Sequence, residues 1–173
     1  MIISDSITFE EAINFTQSLL EAIDTEKIND RELETTLTKL IATMNGARGF
    51  FVTYLTADYP WVDAPSPAII KALQTSPETV AELMVKNLVM STGMVITHER
   101  NGDAEMAANS QKVARRSVNL ISKLELDILN LKLKQMGESL SKNLGEYQEF
   151  LDKWQYDDEQ KQAMYEAVIS CQN

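Results

Sequence analysis

The sequence predicts a single all-α domain spanning residues 1–173, a helical bundle of about six to eight helices with a central antiparallel pair. Helix-start signals recur along the chain, whereas alternating strand patterns are few. Glycine and proline number only six and four, too few for a sandwich or barrel with its many tight turns. Between Leu83 and Ile96, nine of fourteen residues are apolar, which predicts a buried core helix too short to span a membrane.

The elements follow from local chemistry. Thr8 and Glu11 have the spacing of a capping box, and they open a helix carrying Phe9, Ala12, Ile13, Phe15, Leu19, Leu20 and Ile23. Asn29 and Glu32 repeat that spacing ahead of Leu33, Leu37, Leu40, Ile41 and Met44, with Asn45-Gly46 as the expected stop. Residues 49–56 (GFFVTYLT) have strand propensity, but they sit between a helix stop and Asp58. A buried helix is the expectation there, with a short strand as the alternative. Ser66-Pro67 and Ser76-Pro77 each place a capping serine before a proline at the first helical position, where its missing N–H costs nothing.

The second proline opens the central helix, 77–100. Across the Asn101-Gly102 turn it pairs with a helix over 103–124 that Asp103 starts. Residues 124–133 (LELDILNLKL) alternate at first, then match helical spacing through Leu126, Leu129, Leu133 and Met136. The lack of turn residues from Ser122 to Met136 favours helix. Asp157 and Gln160 open the last helix, with Ala163, Met164, Ala167 and Val168 on its apolar face.

Composition narrows the function classes. With 44% apolar and 24% charged residues the chain is globular rather than disordered. Its formal charge of −10 disfavours a nucleic-acid partner, because phosphate binding rests on clustered Lys and Arg. The segment MIISDSITFEE lacks a basic and an apolar leader region, so no secretory signal is expected, and no segment approaches a membrane span. The one cysteine, Cys171, cannot form an internal disulfide, and a cytoplasmic location follows.

Most catalytic and cofactor signatures are missing. One His and one remote Cys cannot build a Cys/His zinc site, and Val95 stands where a di-iron Glu-x-x-His pair would need its Glu. No phosphate-binding or dinucleotide glycine motif is present. Gly46-Ala-Arg-Gly49 has the shape of a KH-type GxxG loop, but the chain is acidic and the accompanying strands are missing. Neither a metal, a cofactor nor a catalytic residue is assigned.

Three constellations remain. Asn87, Ser91 and His98 fall within about 40° of one another on the central helix. Their leading reading is structural, as buried polar groups bonded within the core, and their functional reading is the floor of a pocket. Gly93 breaks a helix interior where alanine would be more favourable. It implies close helix–helix approach, against Ala107, Ala108 or Ala114, or a ligand lying on bare backbone. Phe50, Phe51, Tyr54, Tyr59 and Trp61 crowd into twelve residues after Arg48. They read as a core corner, or, with Tyr59 and Trp61 exposed, as a partner surface.

Two functions are compatible with this inventory. The first is a non-enzymatic acidic helical protein that binds or regulates a protein partner or a second copy of itself, without nucleic acid or membrane. The alternative is a small-molecule binder or enzyme with a pocket at the 98–102 turn. There His98 would serve as acid/base, Arg100, Arg48 and Arg116 as holders of a small anionic ligand, and Asn87 and Ser91 as orienting groups. Charge supports some such island: residues 1–60 carry ten acids and four bases, whereas 61–124, with Arg100, Lys112, Arg115 and Arg116, carry six and seven.

The blocks ARGFFVTYLTADYP (47–60) and KNLVMSTGMVITHERNGDAEMA (86–107) resemble those of an uncharacterised, mainly cyanobacterial family of small all-helical proteins. The resemblance implies a cytoplasmic bacterial protein and brings no known activity or site.

Overall fold

Side-chain caps fix where most helices begin. In the computed structural model, which describes residues 3, 4 and 6–172, capping boxes pair Thr8 with Glu11, Asn29 with Glu32 and Asp157 with Gln160. Ser66 accepts from the Ile69 N–H and Asp103 from the Met106 N–H. Nine α-helices result among the described residues: α1 (Phe9–Asp24), α2 (Asp30–Ile41), α3 (Met44–Thr56), α4 (Pro67–Gln74), α5 (Pro77–Arg100), α6 (Ala104–Leu124), α7 (Asp127–Lys142), α8 (Gln148–Lys153) and α9 (Asp158–Ser170). Together with a 3-10 turn at Pro60–Asp63, helices make up 79% of the described residues, and no strand occurs among them, so the all-α class holds. The helix beyond the expected eight is α8, only six residues long and without a side-chain cap.

Both ambiguous stretches are helical, with one break. Residues 49–56 lie inside α3, and 127–133 inside α7, but Glu125 adopts a left-handed conformation (φ 47°) that ends α6 ahead of α7. Gly46 corrects a reading: it belongs to the first turn of α3 and does not stop α2. Thr43 caps α3 by accepting from the Gly46 N–H, and a Cβ at Gly46 would lie 1.8 Å from the Leu40 carbonyl oxygen. Only glycine lets α3 start with just two residues between it and α2.

Two compact units divide between Leu83 and Met84, inside α5. In the first, α1 packs on α3, and α2 packs on both α3 and α4. Its core is Leu19, Leu20, Leu37, Leu40, Ile41, Phe50, Phe51, Tyr54, Ile69 and Leu73, all essentially inaccessible to water. Burying a Phe or Leu of this kind contributes about 1.5–3 kcal/mol. Phe50 stacks on Tyr54 at 5.0 Å and meets Phe51 edge-on, so the aromatic run is a core corner at that end.

In the second unit α7 packs on α9 and α8. Leu120, Ile121, Leu124, Leu129, Leu133, Met136, Leu151, Met164 and Val168 fill the core. The buried Ser139 hydroxyl takes the Tyr147 N–H at 3.0 Å, tying the turn before α8 to α7. The chain leaves α5 through a Schellman turn, with Asp103 N–H to His98 C=O at 2.9 Å, Gly102 N–H to Glu99 C=O at 3.0 Å, and Gly102 at φ 71°. Three residues thus join α5 to α6, the connection length of antiparallel neighbours.

At 24 residues, α5 is by length and composition long and apolar enough to cross a membrane, with 44% of its most apolar stretch buried inside the protein. The expectation that no segment approaches a span is corrected on this point. Buried Val80 and Ala81 lengthen the apolar run Leu83–Ile96 at its start, and residues 77–79 and 97–100 continue the helix at its two ends. Burial along α5 is also one-sided: Met84, Val85, Leu88 and Val89 are buried, whereas Met90, Met94, Val95 and Ile96 are half-buried.

Candidate functional site

The polar stripe of α5 does not form a network of its own. The Ser91 hydroxyl is buried and donates backwards to the carbonyls of Asn87 (2.6 Å) and Leu88 (3.1 Å), a common habit of helical serine. Asn87 and His98 are half-buried, and among the described residues neither side chain makes a hydrogen bond. Ser91 thus bonds into the turn of Asn87 as the structural reading expects, while the Asn87 and His98 side chains take no part in that bonding among the described residues. His98 lies in the last turn of α5.

What engages this part of α5 is the start of α9. Gln160, buried at 8% exposure, donates its amide N–H groups to the Gly93 carbonyl (3.1 Å) and the Thr97 hydroxyl (2.9 Å). Its amide oxygen accepts from the Asp157 N–H at 3.1 Å, so one side chain caps α9 and docks it on α5. Gly93 makes the approach fit, since a Cβ there would lie 2.4 Å from Met164 Cε and 3.1 Å from Tyr156 Cε1. The close approach expected at Gly93 is real, and its partners in the second unit are Met164 and Tyr156 rather than Ala107, Ala108 or Ala114.

Arg100 is committed in the same place. It donates to Asp157 at 2.5 Å and to Glu159. Those bonds hold the Asp157 carboxyl below the usual aspartate range and raise the guanidinium further above its own. Burial alone pushes the Tyr156 phenol up. Arg116 is buried at 4% exposure, on the side of α6 that carries Ser117, Leu120 and Leu124. Lys112 is half-buried and Arg115 exposed. Arg48 belongs to the first unit, exposed on α3 with its guanidinium 4.9 Å from the centre of the Phe9 ring. Tyr59 and Trp61 are half-buried and stacked at 5.4 Å, and Trp61 donates its indole N–H to Asp24 at 3.0 Å.

One constellation went unnoticed in the sequence. Where α1 hands over to α2, an open cleft of about 590 Å³ is lined by Lys27, Arg31, Lys39, Thr35 and Thr36, with Ala22 and Ile28 as its apolar wall. No carboxylate pairs with Lys27, Arg31 or Lys39 among the described residues. Glu32, the one acid in the lining, is held by the Asn29 side chain at 2.8 Å in the cap of α2. A signal existed: three of the four bases in residues 1–60 fall within 27–39, and Arg31, Thr35 and Lys39 are four residues apart. Net charge over sixty residues concealed it.

Residues 8–171 match the family described as "uncharacterised conserved protein UCP020893". The chain belongs to this family. The match spans all nine helices, well beyond the likeness noted at 47–60 and 86–107. No curated protein and no solved structure matches the chain.

Proposed function

We propose that the protein is a non-enzymatic, cytoplasmic binding module that engages a protein partner through the outer face of α3, without nucleic acid or membrane. One observation carries this reading. Met44 and Val52 are 49% and 44% exposed, and with Arg48 between them they are spaced four residues apart on α3. Phe9, 37% exposed, extends that face under the Arg48 guanidinium. Methionine, aromatic rings and arginine are the side chains enriched at protein interfaces, and single apolar residues scattered elsewhere would need no such account. Glu10 and Glu11 follow Phe9 in the first turn of α1, and the chain carries −10 overall. Charge therefore favours a partner with an apolar centre and a basic rim over a second acidic copy. The pocket reading at 98–102 draws less support, because Asp157 and Glu159 already hold Arg100.

The test compares the parent with Met44→Glu/Val52→Glu. Both positions are solvent-exposed, so the variant is expected to keep its circular dichroism spectrum and melting temperature. A partner retained by the parent from host lysate should be lost by the variant and weakened by salt. Light scattering on a sizing column identifies the occupant: a dimer that the variant dissolves would assign the face to a second copy. Equal retention of every partner by parent and variant would refute this assignment of the α3 face.

A further inference from the structure

We propose that the cleft between the end of α1 and the start of α2 is a binding site for a small phosphorylated molecule. The site is independent of the α3 face. Its cationic side chains spring from a well-defined backbone. Glu26 adopts φ 52° in a Schellman turn whose N–H groups, from Glu26 and Lys27, bond the carbonyls of Ile23 (3.1 Å) and Ala22 (2.8 Å). That turn pins the backbone of Lys27 at the mouth of the cleft. Arg31 and Lys39 project from α2, whose opposite side is locked into the core by Leu33, Leu37 and Leu40.

The chemistry fits a phosphate monoester. Arg31 offers a planar fork of donors, Lys27 and Lys39 two mobile ammonium groups. The Thr36 hydroxyl, which bonds no described residue, is a further donor, whereas Thr35 spends its proton on the Arg31 carbonyl at 2.8 Å. Three cations against one capped carboxylate leave a surplus that matches a dianion better than a single carboxylate. The volume of about 590 Å³ is far more than a phosphate group needs and lies within the usual range of small-molecule sites. Ala22 and Ile28 supply an apolar wall for the carbon part of the ester. Exposed Asp24, Glu26 and Asp30 neighbour these residues in sequence and would repel a long polyanion that a compact ligand avoids.

Titration calorimetry with phenyl phosphate tests the proposal. Saturable binding at one site is expected, weakened at least about tenfold in Arg31→Gln/Lys39→Gln, since two charge-assisted contacts are removed. Both side chains are exposed, so that variant should melt like the parent, and Lys27→Gln alone gives a second, smaller weakening. Lys134→Gln, an exposed position on α7, should bind normally. Three results would overturn the assignment: no saturable binding up to about 10 mM, equal binding by the double variant, or benzoate binding as tightly as phenyl phosphate.

Discussion

Gly49 and Gly93 look alike in the sequence, each inside an apolar helix, yet they serve two different kinds of contact. In the first unit α3 lies on α1 so closely that a Cβ at Gly49 would sit 2.5 Å from Ala12 Cβ, 2.9 Å from its carbonyl carbon and 3.0 Å from the Ile13 nitrogen. That crossing is backbone against backbone, and backbone cannot step aside. In the second unit the nearest atom to a Cβ at Gly93 is Met164 Cε, the tip of a flexible side chain. The Gly93 contact is instead held by the hydrogen bonds of Gln160. A small residue therefore matters most where the neighbour is rigid, and a polar clasp takes over where it is not.

The widest separation is expected at these glycines. Gly49→Ala should destabilise the protein by about 1–3 kcal/mol, because overpacking against fixed backbone outweighs the roughly 1 kcal/mol that alanine gains in helix propensity. In a chain of this size each kcal/mol lowers the melting temperature by about 2–4 °C. Gly93→Ala should change stability by less than about 1 kcal/mol, since Met164 can swing away and the propensity gain offsets the crowding. Equal losses in thermal melts of the two variants would break the comparison.

Gln160→Leu should fall between them, at about 1–2 kcal/mol. It removes two bonds to α5 and one N-cap bond while keeping the side-chain volume. A chemical denaturation midpoint unchanged from the parent would mean that α9 is held by Met164 and Val168 packing alone.

The smallest effect is expected at Arg100, where solvent screens the pair with Asp157 and Glu159. The Asp157 pKa is lowered in the fold, so its contribution is present above the ordinary aspartate value of about 3.9 and is lost as pH falls through the lower, folded value. The stability gap between parent and Arg100→Gln should accordingly be open at neutral pH and close below about pH 4. A gap of constant size down to pH 3, by denaturation at each pH, would show that the charge pairing contributes nothing.

Local chemistry alone determined much of this protein. The three capping boxes, the Ser66 and Asp103 caps and the Gly102 turn are interactions among residues at most five apart, so their spacing is readable from the chain. The all-α class, the helical reading of 49–56 and the membership of Tyr54, Phe50 and Phe51 in a core corner follow from the same short-range patterns.

Only the tertiary structure decided the rest. Arg100 meets Asp157 and Glu159, and Gln160 meets Gly93, across more than fifty residues, and no spacing rule encodes such pairings. The same holds for Gly46 and Gly49, whose roles depend on which backbone passes beside them. His98 stood out because it is the only histidine, yet rarity of a residue type says nothing of its surroundings. The cleft of Lys27, Arg31 and Lys39 is the instructive case. Its charges were visible, but their lack of carboxylate partners among the described residues, in a region rich in acids, is a property of packing alone.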